Sequence, residues 1–488
     1  MIRMRGAGRR AAAVAACLAS LWPALAAGAA DETPIRWDME SLARVVKPMR
    51  HDMKARMPLV LWNFPLPRND DLVKLRSDGT LRKHIDTLAA RGIVPTVEMG
   101  WEWTPAGAMA MARTLQEAGR PVYVLLPRVD LLEGTAYRDC NAWGEGPDAT
   151  RRGEMRKWPC LPLADPKLTA EWLRGQLQPF KDAGIPLAAV WFDDECLPHP
   201  WNGCYEAQRA SAECRKHYPA GVMDDFAAFR KWADAFRFDL FTKGAAEPVK
   251  AMFPGVLVGE YGDEVSGTDK RYGLDVQMPS AYANTCDLPR AFKDRQVTQP
   301  AADLFYFRQL LEIVSRASAK VIAGKLSMPY ISRFVVDNPD EKYRFPMSQD
   351  VYRELVRHVW LRGADGLYLF NLGYPTTPQT VTAEFSFQSV EDARSVTDEL
   401  LAHREFLDKG AAMTFAVPKA VDAEAVWSGR RLPGGRCLVR AVSLGKDDAR
   451  VRVGVAEGVA VELDAPRSGA TYLISAAGDV RKVASGRM

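Results

Sequence analysis

The chain is expected to fold as an α/β protein, a (β/α)8 TIM-type barrel followed by a small C-terminal antiparallel β-sandwich. Three observations carry this expectation. Short apolar runs alternate with amphipathic helical stretches eight times across roughly 350 residues. Most of those runs end in a polar or charged side chain, as strands do where they deliver groups to one end of a barrel. Beyond about residue 410 the helical period gives way to short strands separated by Gly- and Pro-containing turns.

Pro58–Phe64 (PLVLWNF) is the first buried run and delivers Trp62 and Asn63; the helical pattern Leu81–Arg91 follows and stops at Gly92. Val94–Gly100 ends in Glu98, with Trp101, Glu102 and Trp103 just beyond, and Ala106–Gly119 is the next helix. Pro121–Pro127 is the third strand and leads to Arg128 and Asp130. The excursion Leu131–Pro166 is too long for a bare connection, and its tryptophans and cysteines favour an ordered one. Leu168–Ala183 returns as a helix to the fourth strand, LAAVWFDDECLP, where three acids in a row (Asp193, Asp194, Glu195) follow a buried run. Pro200–Tyr218 is expected to be irregular. The aromatics of Asp224–Phe241 recur at helical spacing and belong to the core. Val256–Gly262 ends in Glu260 and Tyr261, Leu274–Tyr282 in Tyr282, and Lys320–Tyr330 in Tyr330 ahead of Arg333. The helix Gln349–Arg362 then precedes Gly366–Gly373, which delivers Asn371. In the tail, Cys437–Val442, Ala449–Val455, Val459–Leu463 and Thr471–Ser475 read as the strands of the sandwich.

Hydrophobic residues at 47% and charged residues at 26% place the chain among folded proteins rather than disordered ones. Arg3, Arg5, Arg9 and Arg10 precede an apolar Ala11–Ala27 run with small residues at its end, so residues 1–29 read as a signal peptide. The expected organisation is this leader, a barrel over 31–410 and a sandwich over 411–488, in a protein that is secreted or periplasmic. Losing the four leader arginines leaves 61 basic against 61 acidic side chains, which removes any bulk electrostatic case for nucleic acid or anionic lipid. Seven of the eight cysteines lie beyond the leader. An oxidising compartment favours disulfides, and Cys140–Cys160 and a pair among Cys196, Cys204 and Cys214 are candidate clips. The absence of Cys-x-x-Cys or paired-His spacing argues against zinc. No metal and no organic cofactor is implied.

The strand ends gather Asn63, Glu98, Arg128, Asp193, Asp194, Glu195, Glu260, Tyr282, Tyr330 and Asn371, with Trp62 and Trp101 beside them. Carboxyls, amides, tyrosines and tryptophans are what a sugar site needs: acids to protonate and to stabilise charge, aromatic faces to cover the apolar faces of sugar rings. No Gly-rich phosphate loop and no GxSxG elbow is present. Strand alternation puts Asp193 and Glu195 on one face and Asp194 on the other. Burial and mutual repulsion can then hold one carboxyl protonated beside a charged neighbour. Which carboxyls pair stays open. An inverting pair would be Glu195 with Glu260. A substrate-assisted reaction would use Glu195 as acid and Asp193 to hold an acetamido group. A retaining arrangement lacks a glutamate at the seventh strand. The structural alternative is that Glu98, Glu102 and Glu260 are ion-pair partners of arginines. Rival functions are a non-catalytic carbohydrate-binding or polysaccharide-export accessory protein on a barrel scaffold, and a polysaccharide lyase.

Several segments resemble the hyaluronidase family of glycoside hydrolases. Trp62-Asn63-Phe64-Pro65 is similar to its Trp-Asn-x-Pro, Asp193-Asp194-Glu195 to its Asp-x-Glu, and Pro279-Ser280-Ala281-Tyr282 to its Pro-Ser-x-Tyr. Met347-Ser348-Gln349-Asp350 and Gly363-Ala364-Asp365-Gly366 look like its last helix and strand. The resemblance implies a distorted barrel that hydrolyses an N-acetylhexosamine polymer, with Glu195 as acid, Asp193 positioning the acetamide and Tyr282 contacting substrate. Phe370 departs from the tryptophan of the family, and the C-terminal sandwich is not a family feature.

Overall fold

In the computed structural model of the protein, eight parallel strands close into a ring. They are β1 (Leu59–Leu61), β2 (Ile93–Pro95 continued by Val97–Glu98), β3 (Tyr123–Pro127), β4 (Ala189–Asp193) and β5 (Leu257–Tyr261). After them come β6 (Val276–Met278 and Ser280–Asn284), β7 (Leu326–Ser327 and Tyr330–Val335) and β8 (Leu367–Leu369). Each strand pairs in parallel with the next, and β8 pairs with β1. A closed parallel ring with intervening helices is the TIM-barrel architecture. The structure describes residues 34–53, 56–62, 70–99, 104–127, 136–147, 155–193, 202–261, 273–285, 287–293, 295–321, 323–335, 340–370, 381–418 and 425–483. The expected leader and the candidate residues Asn63, Trp101, Arg128, Asp194, Glu195 and Asn371 lie outside them.

Local chemistry accounts for the element boundaries. Thr104, Asp165, Asp225 and Thr382 each accept a hydrogen bond from a backbone N–H in the first turn of the helix that follows. Pro105 and Pro166 then open two of those helices with the missing N–H where none is needed. The strands are apolar on both faces because helices cover the outside and side chains fill the inside. On β4, Trp191 turns inward and stacks on Tyr123 with ring centroids 5.8 Å apart, whereas Phe192 turns outward against Phe241 of the helix Phe226–Phe241. Gly259 of β5 makes room for that tryptophan. A Cβ there would fall 2.6 Å from Met278 Sδ and 2.7 Å from the Trp191 ring. Gly259→Ala is therefore expected to lower stability by about 1–3 kcal/mol through overpacking, measured by urea denaturation.

The first excursion is ordered, as expected, and the second departs from expectation. The residues after β3 form a ribbon of two antiparallel strands, Trp143–Pro147 and Met155–Pro159. The stretch expected to be irregular after β4 contains the helices Asn202–Ala210 and Ala212–Arg215. Cys204, Tyr205, Ala207 and Gln208 bury one face of the first of these. The seventh strand also lies later than the spacing suggested, because Leu326 N donates to Asp275 O at 2.9 Å and sets its start.

In the tail, a sheet ordered Ala411–Ala412, Ala425–Arg431, Cys437–Ser443, Ala470–Ile474, Val480–Lys482 packs on the pair Ala449–Ala456 and Val459–Ala465. Val439, Val453, Leu463 and Tyr472 fill the space between them, as a sandwich requires. Barrel and sandwich belong to one compact unit, Trp37–Met488. Their junction is built from buried arginines. Arg362, wholly buried at the end of the barrel helix Gln349–Leu361, reaches across to Ser428 Oγ (2.8 Å), Trp427 O and Ala416 O. In the opposite direction, Arg430 of the sheet donates to Trp360 O and Ala364 O, capping the carbonyl end of that helix. Desolvation lowers both guanidinium groups to about 10, still fully charged at neutral pH. Arg440 completes the junction with two 2.7 Å bonds to Glu354.

Candidate active site

The C-terminal ends of the barrel strands converge on an aromatic mouth. Trp62, just beyond β1, has its ring centroid 4.8 Å from Phe370 and 6.2 Å from Tyr261 of β5. Tyr282 of β6 packs at 5.1 Å from Phe370 and lies parallel to Tyr261, with an interplanar angle of 2°. The Tyr261 and Tyr282 hydroxyls share a hydrogen bond. Tyr282 and Phe370 are half-buried and form the open part of the cluster, while Trp62 and Tyr261 are largely covered. These four rings come from strands on different sides of the ring, so they meet only because their side chains point into the barrel.

A second tier lies beneath. Tyr330 stacks on Tyr368 at 4.3 Å, and the Tyr368 hydroxyl is 2.8 Å from Thr96 Oγ1 of β2. Tyr330 is 0% exposed. Its register explains this: Tyr330 pairs with Ser280, two residues before the level of Tyr282. The expected substrate contact is therefore a packing residue that supports Trp62 and Tyr261 from below (5.7 and 4.6 Å). Glu98, two residues beyond Thr96 on β2, is buried on the same inward face.

Glu260 has a different place. In register with Phe192 and Gln277, it turns outward, away from the mouth, and meets Arg237 of the helix Phe226–Phe241 at 2.9 Å. The ion pair is enclosed, with Glu260 0% and Arg237 14% exposed. The expectation that Glu260 faces Glu195 across a scissile bond is corrected by strand alternation: its neighbour Tyr261, not Glu260, has the inward parity. Asp193 ends β4 in register with Pro127 of β3. Sequence reasoning did not select Tyr261 or Phe370. The signal was available in Tyr261, which shares a face with Gly259, the residue that makes room for the inward Trp191.

A concavity of about 980 Å³ lies between the helix Gln349–Leu361 and the sandwich. Its floor is occupied by mutual ion pairs, Arg440 with Glu354 and Arg357 with Glu399. It lacks the aromatic faces of the mouth. Among the described residues no group of three or more His, Cys, Asp or Glu is placed to hold a metal ion. Nor is any helix there long and apolar enough to cross a membrane.

The shared hydroxyl bond ties Tyr282 to Tyr261. Tyr261→Phe is expected to lower stability by about 0.5–1.5 kcal/mol, the worth of one hydrogen bond, read by urea denaturation. Tyr282→Phe should match it, and the double variant should add little, because both remove the same bond.

No family model matches the chain, and no curated protein does. Solved structures of similar fold include a cyclic α-maltosyl-(1→6)-maltose hydrolase from Arthrobacter globiformis, with a TM-score of 0.45 and 12% identity over 86% of this chain and 98% of that one. A glycoside hydrolase family 5 protein from Bacteroides vulgatus has a TM-score of 0.47 and 10% identity, covering 88% of this chain and 87% of its own. A GH27 β-L-arabinopyranosidase from Geobacillus stearothermophilus gives 0.43 and 10%, over 90% and 99%. The barrel itself is established by the chain's own strand pairing.

Proposed function

We propose that the protein is an exported glycoside hydrolase that cleaves a polysaccharide or oligosaccharide. In this reading Glu195 is the general acid, and Asp193 or Asp194 positions the substrate or stabilises its charge. The observation that carries the reading is the aromatic mouth of Trp62, Tyr261, Tyr282 and Phe370 at the C-terminal end of a parallel barrel. That end of the barrel is where such folds hold their chemistry. Aromatic faces with a phenolic pair suit the mixed apolar and hydroxylated surface of a sugar ring. The acids follow β4, whose last residue is Asp193. The narrower kinship with hyaluronidases, and with it an acetamido sugar as substrate, rests on the sequence motifs.

The test is release of reducing ends from a panel of plain and acetamido polysaccharides by the mature protein and by Glu195→Gln. Release that collapses in the variant supports the hydrolase. Equal activity of the two proteins refutes Glu195 as the acid. Binding to the panel without release by either favours the carbohydrate-binding alternative, and unsaturated ultraviolet-absorbing products would favour a lyase.

A further inference from the structure

Four cysteines from two separate excursions converge beside β3 and β4. Cys140 and Cys160 flank the ribbon, and Cys204 and Cys214 sit in the helices Asn202–Ala210 and Ala212–Arg215. The excursions are pressed together along their backbones. A Cβ on Gly144 of the ribbon would fall 2.5 Å from Ala207 O. Gln208 fastens the chain on both sides of Cys160, donating to Pro159 O at 3.0 Å and accepting from Leu161 N at 3.3 Å, and it is itself held by the Tyr218 hydroxyl.

Within this junction the four thiols differ. Cys140 is half-buried and donates to Ala142 O, two residues along its own strand of chain, at 2.9 Å. Cys204 accepts from Gln208 Nε2 at 3.2 Å. Cys160 and Cys214 are each 0% exposed, and Cys160 Sγ points at Cys214, donating to its carbonyl oxygen at 3.6 Å. We infer that Cys160 and Cys214 are joined as a disulfide in the mature protein, clasping the ribbon after β3 to the helices after β4. This pairing differs from the Cys140–Cys160 clip that sequence spacing suggested.

The chemistry balances with a disulfide oxidant such as glutathione disulfide. Two S–H bonds break, one S–S bond forms, and the two protons and two electrons convert the oxidant to two glutathione thiols. Burial, followed by the neighbouring Cys214, pushes the Cys160 thiol up, so the closed junction disfavours the reactive thiolate. The bond then forms while the excursions are folding, and the finished junction shields it from reductants.

The inference does not depend on what the mouth binds, and its test is independent of activity. The mature protein is refolded from denaturant with glutathione disulfide, its remaining thiols are alkylated after denaturation, and tryptic peptides are weighed without reduction. Arg209 separates Cys204 from Cys214, and Arg156 and Lys157 separate Cys140 from Cys160, so the Cys160–Cys214 and Cys140–Cys160 pairings yield distinct masses. The expected result is Cys160 linked to Cys214, with Cys140 alkylated. Alkylated Cys160 and Cys214, or Cys160 linked to Cys140, overturns the inference. As a second readout, protein refolded with reductant is expected to melt about 5 °C below protein refolded with glutathione disulfide. A Cys160→Ala/Cys214→Ala double variant should lose that response and Cys140→Ala should keep it; the reverse pattern also overturns the inference.

Discussion

Glu195→Gln is expected to reduce turnover on an unactivated glycosidic bond by about 10²–10⁴-fold, the usual contribution of a general acid. That corresponds to about 2.7–5.4 kcal/mol in the barrier. The amide has the shape of the acid but no proton to give, so the leaving oxygen would depart as an alkoxide. KM should change little. An aryl glycoside whose phenol leaves readily without a proton should be spared most of the loss. A uniform loss on both substrates would show that Glu195 acts otherwise than by protonation. Glu260→Gln serves as the contrast, because Glu260 is paired with Arg237 outside the mouth. It should destabilise the fold without any dependence on the leaving group.

Glu354→Ala is expected to cost about 3–5 kcal/mol of folding stability, measured by guanidinium denaturation at pH 7. The substitution strands three groups in the barrel–sandwich junction. Arg440 loses two 2.7 Å bonds, Arg357 loses one at 3.1 Å, and His358, 3.3 Å away, loses its neighbouring charge. Burial alone would raise the Glu354 carboxyl, but hydrogen bonds from His358 and Arg440 override it and hold the group well below its ordinary value of 4.5. A depressed carboxyl contributes stability that is complete above pH 4.5 and lost as pH falls toward the folded value. Burial likewise lowers His358 below its ordinary 6.5, so acid favours the unfolded chain there too. The wild type should thus lose stability steadily below about pH 6, and Glu354→Gln should flatten the part of that loss below pH 4.5.

The barrel was legible in the sequence because parallel strands covered on both faces leave unbroken apolar runs such as Val190–Phe192. Strand ends were legible for a related reason: a polar residue after such a run must leave the core. Four features were not legible. The height of a residue inside the barrel depends on stagger between strands, so Tyr330 looked like a mouth residue although it lies a tier below Tyr282. The parity of Glu260 follows from alternation, but only once the inward Trp191 and the bare Gly259 identify which face is which. The helices at 202–215 were hidden by the Pro-Trp-Asn-Gly opening ahead of Cys204, which reads as a turn although the residues after it bury one helical face. In the tail, the strand Ala425–Arg431 escaped notice because Arg430 and Arg431 look solvent-bound, whereas Arg430 is buried against the end of a barrel helix.

The crossed arginines also bear on how this architecture can be inherited. Arg362 leaves the barrel to satisfy the sheet, and Arg430 leaves the sheet to terminate a barrel helix. Each half therefore ends in groups that the other half helps to complete. A recombination event that exchanged the tail for another sandwich would leave the Trp360 and Ala364 carbonyls and the Arg362 guanidinium exposed to an ill-matched surface. An engineered transplant of the sandwich must therefore carry Ser428 and Arg430 together with the helix they hold.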